Sequence, residues 1–93
     1  MKTIHLIISG KVQGVFFRVS AKRMAQGLKL TGWVKNTVEG NVEIIVSGEE
    51  KVLENFVEWC NKGPENAYVK DVKINISPYQ PFDSFEILRK ITD

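Results

Sequence analysis

Two amphipathic helical stretches interrupt a series of strand-like segments in this 93-residue chain, and their order limits the possible folds. In the helical stretches, apolar residues recur on one helix face, from about Phe17 to Leu28 and from Val52 to Cys60. Gly27 fits a left-handed position at the end of the first helix, and Gly63-Pro64 stops the second. The other segments are predicted strands, and in all of them but the one at residues 30–36 every second residue is apolar, as in strands with one buried face. These strands cover approximately residues 4–8, 30–36, 42–46, 72–76 and 85–87.

The predicted order is βαββαβ, with a short extra strand at the end. In a split βαβ arrangement the first two strands run parallel, and the third is inserted antiparallel between them. The carboxyl ends of strands one and two then lie at the same edge of the sheet, a common location for ligands. We therefore expect the loop after strand one, Gly10–Arg18, to meet Asn36, the last residue of strand two.

The segment Gly10–Arg18 opens the first helix without a capping residue. It contains two glycines, Gly10 and Gly14, which can shape a tight loop, but no Ser, Thr, Asp or Asn. The first N–H groups of a helix have no intrahelical partner. Free N–H groups, a helix dipole and the guanidinium of Arg18 together form a receptor for a phosphate-sized anion. The sequence therefore predicts an anion site at this helix start.

The amino-acid composition makes a disulfide, a metal site or a membrane span unexpected in this chain. Cys60 is the single cysteine and His5 the single histidine, so an internal disulfide cannot form, and we expect no metal site and no cofactor. No apolar run approaches the ~20 residues of a membrane span, and the N-terminus lacks a signal-peptide pattern. We expect one cytoplasmic domain over residues 1–93, monomeric and without a membrane partner. His5 and Cys60 are expected to be structural, and Lys35 should point to the sheet face opposite Asn36.

Positive charge is concentrated in the first part of the chain. Residues 1–38 contain seven basic and no acidic residues, whereas residues 39–93 contain six basic and eleven acidic ones. A positive field around the predicted anion site would raise the local concentration of a phosphorylated substrate. The same asymmetry keeps nucleic-acid binding open as an alternative.

Two strings in the chain resemble the signatures of the acylphosphatase family. Gly10–Arg18, GKVQGVFFR, is similar to the family's G-x-V-Q-G-V-x-F-R. The stretch Gly32–Gly48, which begins GWVKN, is similar to the second signature, G-[aromatic]-V-[K/R]-N-x-x-x-G-x-V-x-x-x-x-x-G. Gly63-Pro64, Ala67 and Val69 also fit the family's pattern. Two long strings at the right separation form a specific signal, and the resemblance spans essentially the whole chain.

This resemblance implies a fold, an activity and a set of site residues. The implied fold is α+β, a ferredoxin-like βαββαβ sandwich with two helices on one face of an antiparallel sheet, plus a short C-terminal strand. The implied activity is metal-independent hydrolysis of a small acyl phosphate to a carboxylate and inorganic phosphate. Arg18 would bind the phosphoryl group and Asn36 would orient the attacking water. The resemblance also implies that the backbone amides of Val15, Phe16, Phe17 and Arg18 bind the phosphate.

The chemistry of the residues agrees with that activity. None of the fixed positions in the two strings is Asp, Glu, His or Cys, so the site has no evident general acid. A leaving group of high pKa would need one, whereas a carboxylate, with a conjugate-acid pKa of roughly 4, leaves without protonation. An activated acyl phosphate is therefore a better substrate than an alkyl phosphate ester.

Other interpretations account for less of the sequence. An RNA-binding βαββαβ module would carry interleaved aromatics on its third strand, which Val42–Ser47 lacks, so we expect no nucleic-acid partner. A Walker-type nucleotide site fails because the loop lacks G-x-x-x-x-G-K-[S/T]. A non-enzymatic anion sensor with the same loop stays open. A module of a larger carbamoyl-transfer protein is disfavoured by the end of the sequence at Asp93.

Overall fold

The computed structural model describes residues 1–89 and has the predicted order of strands and helices. The sheet has the order β4-β1-β3-β2-β5, so β3 lies between β1 and β2 as expected. Strands β1 to β4 pair antiparallel, and β5 adds a parallel pairing with β2 at one edge, which makes the complete sheet mixed. The elements are β1 (Lys2–Lys11), α1 (Phe17–Gly27), β2 (Thr31–Asn36), β3 (Val42–Gly48), α2 (Glu50–Lys62), β4 (Tyr68–Ser77) and β5 (Phe85–Leu88).

Both helices cover one face of this sheet, and the core lies between them and the strands. The registers align Leu6 with Ile44 and Ile44 with Val34, so these three side chains share a face, and all are fully buried. Burying an aliphatic side chain of this size contributes roughly 1.5–3 kcal/mol. The helices supply the opposite side of the core, with Phe17, Ala21 and Ala25 from α1 and Leu53, Phe56 and Cys60 from α2.

A row of aromatic rings connects the start of α1 to α2, and α2 to the last strand. Phe17, the first residue of α1, lies 5.3 Å from Trp59 of α2 between ring centroids. Phe56 lies 6.1 Å from Trp59 and 6.2 Å from Phe85 of β5. Rings at these separations attract each other beyond the area that they bury. The start of α1 is therefore held by packing against α2.

The other face of the sheet carries half-buried polar residues. The imidazole Nε2 of His5 lies 2.6 Å from Glu43 Oε2, and Lys35 Nζ lies 3.7 Å from Glu43 Oε1. Lys35 also lies 5.5 Å from the centre of the Trp33 ring. The prediction that Lys35 points away from the Asn36 face is confirmed, and His5 has a structural partner.

The end of α1 differs from the prediction. Gly27 does not take the left-handed conformation, which falls on Lys29 with a φ of 60°. The amide of Lys29 donates to Gln26 O at 3.0 Å, and the amide of Leu30 donates to Ala25 O at 2.8 Å. This pair of bonds is a Schellman turn, in which the left-handed residue precedes the one that returns to the core. Leu30 is that residue and is buried, so the turn lies two positions beyond Gly27.

The longest helix among residues 1–89 is α2, with 13 residues, and neither helix of this part is long and apolar enough to cross a membrane.

Cys60 is fully buried on the core side of α2, as predicted for a packed free thiol. Burial raises the pKa of the Cys60 thiol far above its ordinary range, because the thiolate would lose its hydration. The reactive species is the thiolate, so the folded protein should be inert toward thiol reagents.

We expect Cys60 to be labelled by iodoacetamide at pH 8 only as fast as the chain unfolds. Adding urea through the unfolding transition should raise the rate in parallel with the loss of the circular dichroism signal. A free model thiol in the same buffers is the control for direct effects of urea. Rapid labelling of the native protein would contradict the burial of this thiol.

Candidate active site

The predicted anion-binding loop and Asn36 line one cavity. Arg18 stands in the first turn of α1 and Asn36 ends β2, and both border a cavity of about 300 Å³. The prediction that these segments meet at one edge of the sheet is confirmed. The side chain of Val15 is buried and is not part of the lining. The other lining residues are Val12, Gly14, Phe16, Phe17, Val19 and Arg89.

The loop reaches this cavity through unusual backbone conformations. Gly10 has a φ of 124° and lies where the β1–β4 register shifts, and Gly14 has a φ of 74°. Phe16 is also left-handed, with φ 64° and ψ 25°, although its side chain is 77% exposed. A residue with a Cβ costs roughly 1–2 kcal/mol in this conformation, and an exposed ring regains little of that by packing. Backbone strain of this kind is typical of functional loops.

The helix start leaves backbone donors at the cavity. Phe16 is the N-cap of α1 and makes no side-chain capping bond. The amide of Ser20 donates to Phe16 O at 3.1 Å, so the N–H groups of Phe17, Arg18 and Val19 have no acceptor one turn earlier in the helix. These groups lie at the positive end of the helix dipole. The uncapped start predicted from the sequence is therefore present beside Arg18.

Gln13 ties the loop to the turn that follows Asn36. Its amide Nε2 donates to the carbonyl oxygens of Thr37 and Asn41, each at 2.9 Å. The same turn is closed by the amide of Thr37, which donates to Asn41 O at 2.9 Å. The two sides of the cavity are thus connected by hydrogen bonds between residues 24 and 28 positions apart. Gln13 belongs to the first string, but its pattern alone did not indicate this role.

Arg89 is a site residue that sequence reasoning missed. It follows β5 directly and lines the cavity with Arg18 and Asn36. Strand β5 pairs parallel with β2, and its last pair is Lys35 with Leu88. Arg89 is therefore level with Asn36. The alternation around Phe85 indicated a fifth strand, but nothing in that short pattern indicated which strand it would join.

The cavity is cationic. Among residues 1–89, Arg18 and Arg89 are its charged lining residues, and none of the lining residues is acidic. Within residues 1–89, neither arginine forms an ion pair. In the same part of the chain no three His, Cys, Asp or Glu side chains are close enough to hold a metal ion. His5 and Cys60 lie outside the lining. Two guanidinium groups beside an uncapped helix start are the kind of groups that bind a small anion.

Comparisons with known proteins agree on one family. The acylphosphatase family's sequence profile matches residues 4–87. An acylphosphatase of Marinobacter nauticus is 48% identical over 82 residues, which cover 87% of this chain and 89% of that protein. An acylphosphatase structure from Coxiella burnetii matches with a TM-score of 0.91 at 40% identity, covering 94% of this chain and 92% of the other. The crystal structure of the Bacillus subtilis acylphosphatase matches with a TM-score of 0.92 at 37% identity, covering 95% of this chain and 99% of the other.

This chain therefore belongs to the acylphosphatase family, whose enzymes are hydrolases that act on acid anhydrides. The resemblance drawn from the two strings is confirmed, as is the α+β fold that it implied.

The two loop glycines offer a matched test of the loop conformation. A Cβ on Gly10 would lie 2.2 Å from the carbonyl oxygen of Tyr68, whereas a Cβ on Gly14 would meet no atom within 4 Å. Gly14→Ala should therefore lower the free energy of unfolding by only about 1–2 kcal/mol, the strain of its positive φ. Gly10→Ala should lower it further, because the backbone of β4 must also move. Urea unfolding of both variants measures the difference, and equal losses would be inconsistent with the close approach at Gly10.

Replacing Gln13 should loosen the connection between the loop and the turn. Gln13→Met keeps the size of the side chain but removes one of the donors to each of two carbonyl oxygens, Thr37 O and Asn41 O, which keep a backbone donor each. We expect the free energy of unfolding to fall by about 1–3 kcal/mol. Gln26→Met, at an exposed position of α1, is the control and should change it by less than about 0.5 kcal/mol. Equal stability of the two variants in urea would mean that the Gln13 bonds contribute nothing.

Proposed function

We propose that this protein hydrolyses small acyl phosphates without a metal ion, at the cavity that joins the start of α1 to Asn36. The observation that carries the proposal is the meeting of Arg18, the uncapped helix start and Asn36 in a chain of this family. Phosphoryl transfer depends mainly on positioning and charge stabilisation, which such a site can supply.

Arg18 and the loop amides bind the phosphoryl group in this mechanism. The guanidinium of Arg18 can donate two hydrogen bonds to two phosphoryl oxygens. The backbone N–H groups of Val15, Phe16, Phe17 and Arg18 form the cradle for the remaining oxygen. As charge develops on the phosphoryl oxygens in the transition state, these fixed donors stabilise it without reorganising.

Asn36 orients the water that attacks phosphorus. An amide cannot act as a base near neutral pH, but its oxygen accepts a hydrogen bond and its nitrogen donates one. Held this way, the water is in line with the bond to the acyl group. The new P–O bond forms as the bond between phosphorus and the carboxylate oxygen breaks. The carboxylate leaves with the electron pair, and the proton of the water passes to a phosphoryl oxygen or to solvent.

The leaving group determines the substrate class. Within the described part of the chain, the cavity lining contains no Asp, Glu, His or Cys that could protonate the leaving group. A carboxylate with a conjugate-acid pKa of roughly 4 needs no proton, whereas an alkoxide does. We therefore infer that the substrate is an acyl phosphate and that phosphate monoesters react far more slowly.

The proposal also includes the oligomeric state, the location and the partners of the protein. Residues 1–93 act as one domain and as a cytoplasmic monomer, with a small-molecule substrate and no nucleic-acid or membrane partner. Sedimentation equilibrium tests the monomer, and a mass of two chains at micromolar concentration would contradict it.

The decisive measurement is phosphate release from benzoyl phosphate in the presence of a chelator. The native chain should turn over, and Arg18→Gln and Asn36→Ala should each lower kcat/KM by about 10²–10³-fold or more, because each removes a group aligned with the transition state. Arg23→Gln and Asn75→Ala are the matched controls. Arg23 lines a different pocket, with Trp59 and Pro64. Asn75 lies on β4, the outer strand at the side of the sheet away from β5.

Circular dichroism and thermal unfolding of each variant show whether it is folded. Loss of activity in all four variants would point to a general effect of substitution and would contradict the assigned roles. Absence of turnover in the native chain, together with phosphate binding that depends on Arg18, would instead favour the anion sensor.

A further inference from the structure

Among the described residues that line the cavity, Arg89 is the charged one to which the mechanism above assigns no role. It lines the cavity with Arg18 and Asn36, and its side chain is exposed. Within residues 1–89 no hydrogen bond or ion pair holds its guanidinium elsewhere. A second arginine at a site for a phosphorylated substrate can act on the phosphoryl group or on the acyl group, and the topology distinguishes between them.

The register of β5 places Arg89 on the Asn36 side of the cavity. Leu88 pairs with Lys35 in the parallel ladder, so Arg89 is level with Asn36 on the neighbouring strand. Neighbouring strands lie about 4.8 Å apart, a distance that an arginine side chain spans easily. The loop and Arg18 approach from the start of α1, which packs over β2 and β5. The two guanidinium groups therefore reach the cavity from different elements.

In-line attack determines which part of the substrate lies near Arg89. Asn36 holds the water, and the leaving carboxylate lies on the opposite side of the phosphorus atom. A residue beside Asn36 is thus on the side of the attacking water, away from the acyl group. The atoms within its reach there are the non-bridging phosphoryl oxygens.

The charges match this placement. The phosphoryl group of a phosphate carries about −1.5 to −2 charges near neutral pH. Arg18 supplies one positive charge, Arg89 supplies a second, and none of residues 1–89 that line the cavity is acidic. Two cations on different elements can bind oxygens that a single guanidinium fork does not reach.

We infer that Arg89 is a second guanidinium of the phosphoryl subsite, binding a non-bridging oxygen on the side of the attacking water. The inference rests on the proposed function for the orientation of the substrate. Because Arg89 is exposed, its interaction is weakened by solvent and by salt, and its contribution is smaller than that of Arg18.

The test compares Arg89→Gln with the native chain and with Arg23→Gln, which removes the same charge from α1 outside the cavity. Binding of inorganic phosphate is measured by calorimetric titration. Kinetics are measured with benzoyl phosphate and with 4-carboxybenzoyl phosphate, which carries an additional negative charge on its acyl part. The two substrates separate an interaction with the phosphoryl group from one with the acyl group.

We expect Arg89→Gln to weaken phosphate binding about fivefold and to lower kcat/KM by a similar factor for both substrates. The difference from the native chain should shrink as sodium chloride is raised, because salt screens an exposed charge. Arg89→Lys should recover most of the loss, since it restores the charge, and Arg23→Gln should change either quantity by less than about twofold.

Three results would overturn the inference. Unchanged phosphate binding in Arg89→Gln would remove Arg89 from the subsite. A loss confined to 4-carboxybenzoyl phosphate would place Arg89 at the acyl group. An equal loss in Arg23→Gln would indicate an effect of overall charge. If the native chain hydrolyses neither substrate, the proposed function fails, and the phosphate titration still decides whether Arg89 binds the anion.

Discussion

The packing of Phe17 against α2 fixes the start of α1, and the arrangement of the site depends on it. The helix has no side-chain cap, so its first residue is held by burial, with Phe17 only 1% exposed. Gly63 provides the room, because a Cβ there would lie 2.9 Å from the Phe17 ring. A hydrophobic contact thereby replaces the polar cap. The first N–H groups of the helix stay available to a ligand, and Arg18 is held one residue beyond the buried ring.

The order of strands then brings the remaining groups to the same edge. Because β3 lies between β1 and β2, the ends of β1 and β2 that carry the loop and Asn36 point the same way. The hydrogen bonds of Gln13 set the spacing between those two segments. The parallel addition of β5 brings Arg89 to the same place. Three separate segments of the chain therefore line the cavity, and none of them forms it alone.

The site is also where local structural preferences are violated. Phe16 takes a left-handed conformation that glycine would adopt at lower cost, and it exposes most of its ring. Two arginines share a cavity in which no carboxylate of residues 1–89 is among the lining groups. Neither feature stabilises the fold, and both suit the binding of a phosphoryl group, which supplies negative charge and needs a tightly curved backbone around it. The buried core between the sheet and the helices offsets these costs.

Much of the fold followed from patterns within single segments. The alternation of apolar residues indicated β1, β3 and β4, and the helical stripe of Val52 to Cys60 indicated α2. The order of these elements then predicted that the loop after β1 would meet Asn36. Such patterns can be recognised in the sequence because each depends on which face of one segment is buried.

The position of the α1 terminus and the role of Arg89 were decided by the tertiary structure. The left-handed turn falls at Lys29 because Leu30 must return to the core, which a preference for glycine does not reveal. Arg89 enters the site because β5 pairs with β2, a choice made by burial and hydrogen bonding across the whole sheet. The sequence by itself determined which segments are strands and helices, and its order of elements predicted that the loop after β1 would meet Asn36. The tertiary structure alone decided that β5 pairs with β2 and that Gln13 connects the loop to the turn after Asn36, because both depend on contacts that no single segment contains.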